Sequence, residues 1–326
     1  MCVKSANART LLGTGAGGST AGADVPVVLT IAGSDSGGGA GAQADLLAIA
    51  ANGAHGASAL TCLTAQNPDG VSGVLPVPPE FVLEQARQVA RYFPLAAVKT
   101  GMLHNAGVVR AVAEFVREQR AANPALPFVL DPVLVATSGA RLLDADALGA
   151  LIDELVPLAT VITPNLDEAA ALGAGQWSVA SDRWSVFSGQ TDGEDGGTGG
   201  ADSVAFLTGV AGELAAKLRC AVLLKGGHLD GGDTVFDVLV TAAHQPLSTD
   251  HWLLTTSSSP TVRVFSHPRV SGTDTHGSGC TLAAALAARL AAGEALDAAV
   301  RAAGDYLHDG MTHPLAIAGR RFIRRV

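Results

Sequence analysis

The 326-residue chain is 48% hydrophobic with only 4% aromatic residues. It can bury a sizeable core of small aliphatic side chains, and no apolar run approaches the roughly 20 residues of a membrane span. The formal net charge of −9 argues against non-specific nucleic-acid binding, and the final RRFIRRV is the one basic cluster. Cys2, Cys62, Cys220 and Cys280 show neither C-x-x-C pairing nor zinc spacing, so they read as reduced thiols of a cytoplasmic protein.

Residues 1–24 are small, polar and glycine-rich; they cannot bury enough surface to order themselves and read as a disordered tail. Residues 27–32 (VVLTIA) form a continuous apolar run, the pattern of a parallel strand buried on both faces. The run breaks into a glycine-rich loop over 33–41, then a helix over 42–52 and a second strand over 57–65. Strand, helix and strand make a right-handed crossover unit. An extended piece over 71–77 follows, and Pro78-Pro79-Glu80 starts a helix that runs to Phe93. Strands over 97–99, 128–130 and 161–162 alternate with helices over 106–120 and 144–155, the latter capped by Asp144.

Residues 173–203 and 244–260 are irregular and read as disordered surface insertions, not linkers between domains. Between them the pattern predicts a helix over 205–219, a strand over 221–224 ending in Lys225-Gly226-Gly227-His228, and an edge strand over 234–241. Residues 261–265 lead to the loop 271–279, and alanine-rich helices over 281–292 and 296–308 close the fold. The alternation predicts one doubly wound α/β domain over 25–310, with 311–326 as a C-terminal tail. Ligands in such sheets bind beyond the carboxyl ends of the strands, where the polar loops fall.

The stretch SGTDTHGSGCTLAAA, 271–285, carries the strongest chemical signal. Gly277, Ser278 and Gly279 let backbone N–H groups converge, and the helix directly behind them points its partial positive charge the same way. That is an anion site. Cys280 at the junction reads as a base or nucleophile with a lowered pKa, or as a small buried hydrophobe. His276 is near enough in sequence to pair with it, as in a cysteine hydrolase, but no third orienting residue is evident.

Residues 39–44 fit G-x-G-x-x-A, yet the next strand ends at Gln66 and not at the acid a nicotinamide site needs. No P-loop motif occurs. Asp45 suits the start of a helix or a polar ligand, and Asp131 ends a strand at the ligand edge. Asn165 and Glu168 put an amide and a carboxylate on one helical face, either as a capping box or as phosphate and metal partners. Lys225, at a strand end before two glycines, can neutralise phosphate. The co-location of these groups on one edge suits phosphoryl transfer.

The ordered segments AGSDSGGGAGAQAD, Ala65-Gln66-Asn67, Lys99-Thr100-Gly101-Met102-Leu103, Asp131-Pro132-Val133, Thr163-Pro164-Asn165-Leu166-Asp167-Glu168-Ala169, Lys225-Gly226-Gly227-His228 and Thr275-His276-Gly277-Ser278-Gly279-Cys280-Thr281 together resemble the hydroxymethylpyrimidine/phosphomethylpyrimidine kinases of thiamine biosynthesis, in the ribokinase-like superfamily. The resemblance implies a central, mostly parallel sheet with helices on both faces. It also implies ATP-dependent phosphorylation of 4-amino-5-hydroxymethyl-2-methylpyrimidine and then of its monophosphate. By the same resemblance Asp45 and Gln66 contact the pyrimidine, Gly33 and Met102 line its pocket, and Asp131 and Val133 flank it. Asn165 and Glu168 serve Mg²⁺ and phosphate, Glu168 through water, while Lys225 and 275–279, beginning at Thr275, hold the ATP phosphates. Cys280 stands where the superfamily usually has its catalytic Asp. A homodimer is implied as well. Departures are Gly41-Ala42 before Gln43, the two insertions, and an ending without the family's glycine and histidine. The alternatives are a pyridoxal kinase of the same fold and a non-catalytic metabolite-binding relative.

Overall fold

A computed structural model describes residues 24–134, 145–173, 199–227, 229, 232–241 and 260–326. The expected tail up to residue 23, most of both insertions, Asp144 and His228 lie outside the described residues.

The chain opens with β1 (Val27–Ser34), α1 (Gly41–Ala51), β2 (His55–Asn67) and β3 (Gly70–Pro76). It continues through α2 (Pro79–Tyr92), β4 (Leu95–Thr100), α3 (Ala106–Ala122) and β5 (Phe128–Leu130). Then come α4 (Ala145–Ala150), a π-helical turn (Leu151–Leu155), β6 (Val161–Ile162) and α5 (Leu166–Gly173). The second half has α6 (Gly199–Leu218), β7 (Ala221–Lys225), β8 (Thr234–Thr241), β9 (Thr261–Pro268), α7 (Ser278–Ala291) and α8 (Leu296–Thr312). A small hairpin, β10 (Leu315–Ile317) and β11 (Arg320–Phe322), follows.

Strands β1 to β9 form one sheet in the order β3-β2-β1-β4-β5-β6-β7-β8-β9. From β2 through β7 neighbours run parallel, and β3, β8 and β9 are antiparallel additions. The order reverses at β1, which pairs with β2 on one side and β4 on the other, so the crevice between β1 and β4 is the expected ligand site.

Continuous apolar strands follow from burial on both faces. Leu29, Ile31, Val98, Leu130 and Ile162 point to the layer that holds α2, α3 and α6. Their neighbours Val28, Ala97, Val129 and Val161 point to α1, α7 and α8. Helix α7 is buried nearly all round: every residue from Thr281 to Ala288 is inaccessible or almost so. Its alanines are what let it lie so close to the sheet while α1 and α8 cover it.

Three expectations change. Residues 234–241 are not an edge strand, because β9 pairs with β8 along its full length and takes the edge. The helix expected from 205 begins at Gly199, inside the segment assigned to the first insertion. Residues 311–326, set apart as a tail, complete α8, form the β10–β11 hairpin and bury Ile323 and Arg325.

Candidate active site

The carboxyl ends of β1, β4, β5, β6 and β7 open onto one cavity of about 690 Å³. Every site residue expected from the sequence lines it except Asp45. Two polar clusters make up its wall, joined by the turn that enters α7.

The first cluster is cationic at its centre. Lys225, at the end of β7, donates from Nζ to Asp131 Oδ1 at 3.2 Å and lies 3.8 Å from Glu168 Oε2. Thr163 Oγ1 donates to the same Asp131 oxygen at 3.0 Å. Asn165 N–H donates to Glu168 Oε2 and Glu168 N–H donates to Asn165 Oδ1, both at 2.8 Å. The capping box is therefore formed, and it fixes the Glu168 carboxyl beside Lys225. Burial pushes Glu168 up to about 7; Lys225 opposes the shift and Asp131 adds to it. Burial also works against the Lys225 charge, but Asp131 and Glu168 outweigh it and raise its pKa.

The second cluster is built around Asp35. Its carboxylate accepts from the N–H groups of Gly37 and Ala40, each at 2.8 Å, which folds the glycine-rich loop onto itself ahead of α1. His276 Nε2 lies 3.1 Å from Asp35 Oδ2 and 3.1 Å from Gln66 Nε2. Burial tends to raise Asp35, yet His276 and the two backbone donors bring it below the usual carboxylate range. His276 is thus engaged with Asp35 and Gln66, which removes the expected pairing with Cys280.

Between the clusters, Gly277 takes a left-handed φ of 77°, and a Cβ there would stand 2.0 Å from Gly39 O. A Cβ on Gly279 would come to 3.0 Å from Lys225 Nζ. Gly277 needs glycine, for its φ and for the backbone of Gly39 against it, while at Gly279 a side chain would crowd Lys225. Among the described residues no side chain caps this end of α7; Ser278 N–H donates to Thr275 O at 3.0 Å, and the N–H of Gly279 behind it is left to an anion beside Lys225.

Cys280 departs from the lowered-pKa reading. Burial drives its thiol up to about 11, against the Lys99 charge and a hydrogen bond from Gly41. Position at a helix start is outweighed by removal from water. The group at the cavity floor is a neutral thiol.

Asp45 also departs from expectation. It is fully buried beneath the loops, takes Lys99 Nζ at 2.8 Å on both oxygens and accepts from Thr30 Oγ1 at 2.5 Å. Burial works against the Lys99 charge, but Asp45 more than restores it and holds the pKa high. In this arrangement Asp45 supports the cavity from below. Its neighbour Gln43 is nearer the surface of the site: it accepts from Asp35 N–H at 2.9 Å and donates to Ser34 Oγ at 2.8 Å. Asp35, Thr163 and Lys99 have no place in the site by the sequence reading, and His276 is expected in the phosphate loop or beside Cys280, not on Asp35. Asp35 had the best signal, an acid in a glycine loop at a strand end.

A family profile described as phosphomethylpyrimidine kinase matches residues 35–183 and 201–322. The chain is 41% identical over 294 residues to a hydroxymethylpyrimidine/phosphomethylpyrimidine kinase of Streptomyces coelicolor, covering 90% of this chain and 91% of that protein. Its fold superposes on a phosphomethylpyrimidine kinase of Clostridium difficile with a TM-score of 0.63 at 31% identity, covering 87% and 98% of the two chains. An ADP complex of Bacillus subtilis pyridoxal kinase gives a TM-score of 0.70 at 27% identity, covering 93% and 98%.

Proposed function

The chain belongs to the phosphomethylpyrimidine kinase family, and on that premise we propose how its cavity divides the work. It is a kinase of thiamine biosynthesis that phosphorylates hydroxymethylpyrimidine and then the monophosphate. It takes a small-molecule substrate and uses ATP. The observation that carries the assignment of residues is that one cavity joins the uncapped start of α7 with Lys225 to the Asp35–Gln66–His276 cluster.

Lys225 and the N–H groups of Gly277 and Gly279 bind the transferring phosphate, and Thr275 borders that loop. Gln66, Met102, Gly33 and Val133 hold the pyrimidine so that its hydroxymethyl group points at the loop. Phosphoryl transfer has a loose transition state, so orientation and charge neutralisation supply most of the acceleration. Cys280, as a thiol, packs against the substrate and takes no proton. Asp131 is the carboxylate at the cavity floor, held by Thr163 and Lys225, and it receives the hydroxyl proton as the new O–P bond forms and the γ-phosphoryl group parts from ADP.

The all-oxygen donor set of Asp131 and Glu168 fits Mg²⁺. Asp131 and Glu168 would hold the ion, Glu168 through water. Mg²⁺ so bound would neutralise charge on the ATP phosphates. The exposed apolar side chains of Leu63, Val74 and Leu75 on the β2–β3 edge suit a homodimer. Among the described residues no helix is long and apolar enough to cross a membrane, and a cytoplasmic place is consistent with the free thiols of Cys62, Cys220 and Cys280.

The test is product analysis after incubation with hydroxymethylpyrimidine and Mg·ATP. We expect the monophosphate first and the diphosphate after it. A higher kcat/KM for pyridoxal than for hydroxymethylpyrimidine would replace this substrate assignment with the pyridoxal one.

A further inference from the structure

The C-terminal segment returns across the site. Past α8 it makes the β10–β11 hairpin, and Asp274 N–H donates to Arg321 O at 2.8 Å. Arg324 N–H donates to Gly310 O at 2.9 Å, and Tyr306 Oη donates to Arg325 O at 2.8 Å. These bonds hold the backbone so that the Arg325 side chain runs inward. The residue is only 6% exposed.

The partners of its guanidinium are specific. Nη2 donates to Gly39 O at 2.7 Å. Nε donates to Thr281 Oγ1 at 2.8 Å, and Thr281 Oγ1 donates in turn to Gly277 O at 2.8 Å. Gly39 O is the same atom that a Cβ on Gly277 would strike. Arg325 thus clasps a point where the loop before α1 touches the loop before α7, beside the His276–Asp35 contact between the same two loops. Among the described residues it forms no ion pair with a carboxylate. A buried, unpaired cation is costly to a fold, and one set directly behind an anion-binding turn offsets that cost when the anion arrives.

We infer that Arg325 is a positioning residue for phosphoryl transfer, locking the substrate-side loop 33–41 to the phosphate-side turn 277–281 and placing its unpaired charge behind that turn. The inference rests on the kinase reading above for its catalytic consequence. Its structural half stands alone, because the clasp joins the two loops whatever they bind. Two donors fixed in one plane explain why arginine and not lysine suits the position.

Arg325→Ala, Arg325→Lys and Arg324→Ala would be compared with the parent in Mg·ATP turnover, thermal melting and hydrogen–deuterium exchange. Arg324 is the control, since its side chain is exposed and reaches only Asp309 at 3.6 Å. Expected for Arg325→Ala is a fall in kcat of about tenfold to a hundredfold, the scale of removing charged hydrogen bonds. Added guanidinium ion should restore part of it, and exchange should quicken in 33–41 and 272–281 together. Arg324→Ala should leave all three readouts at the parent value. If Arg325→Ala does not fold, Arg325→Lys decides: an ammonium can keep one of the two hydrogen bonds, and an intermediate kcat is expected. Turnover within twofold of the parent, or activity abolished without any guanidinium rescue, overturns the catalytic role. Unchanged exchange in both loops overturns the clasp itself. A parent without turnover contradicts the kinase reading and, with it, the catalytic half, while the exchange result still decides the clasp.

Discussion

At the scale of single residues, the site is governed by what burial does to charge. Glu168 and Cys280 are both pushed up, to about 7 and about 11. Only the first therefore titrates near neutrality. The kcat/KM for hydroxymethylpyrimidine should rise between pH 6 and 8 as Glu168 ionises, and no limb from Cys280 should appear below about pH 10. Glu168→Gln keeps the capping box, so it should flatten the limb near pH 7 and lower kcat/KM without unfolding α5. Its stability effect has a definite sign. A carboxyl whose folded pKa lies above its unfolded value stabilises the fold at low pH and loses that contribution as pH rises from about 4.5 to about 7. The Gln variant should melt with the parent at pH 4 and above it at pH 8, by at most about 3 kcal/mol. A limb that survives in Glu168→Gln assigns the titration elsewhere. Individual positions were partly legible at this scale. Lys225, Gln66 and the 277–279 loop stand where strand ends and glycines put them. Asp45 was misplaced because a carboxylate early in α1 can face either the cavity or the layer beneath, and its partner Lys99 is 54 positions away. Arg325 was beyond reach, since a basic run at the end of a chain ordinarily stays in water.

At the scale of elements, helix α7 does most to shape the site. Its first turn lines the cavity beside Lys225, and its body is a plug of alanines between the sheet and two helices. The same sequence property serves both ends, because small side chains let the helix axis approach the strands whose ends carry Asp131 and Lys225. Ala285→Leu adds volume where the side chain is fully buried. It should cost about 1–3 kcal/mol and lower Tm by several degrees. Because the strain is relieved by displacing α7, kcat should fall along with Tm, which calorimetry and turnover on one preparation would check. A Tm equal to the parent would mean that the layer has slack. The strands were legible to within a few residues, since apolar runs bounded by polar loops carry a strong period. What the runs do not carry is lateral order. Residues 234–241 alternate weakly, as an edge strand does, and the pairing that covers them comes from 261–268, across an insertion.

For the whole molecule, the nine-stranded sheet leaves an open edge at β3, where Leu75 is 64% exposed and Val74 and Leu63 lie nearby. Unpaired apolar edges invite pairing with another chain. Sedimentation velocity should show a dimer for the parent, and Leu75→Lys should weaken it by about tenfold, on the scale of one buried aliphatic side chain exchanged for a charge. A monomeric parent at high micromolar concentration would remove the dimer proposal. The overall architecture was the most legible level of all, because βα alternation with short polar loops admits few arrangements. The resemblance added the chemistry that alternation alone does not specify.

The hydrogen bond from Arg325 to Gly39 spans 286 positions of sequence. On a ribosome the glycine loop leaves the exit tunnel early and must wait for its clasp. Until residue 325 has emerged, the nascent chain can build its sheet and the His276–Asp35 contact, but its two loops lack the Arg325 clasp. A clipped chain that lacks this arginine should therefore be folded yet turn over about tenfold to a hundredfold more slowly than the full one.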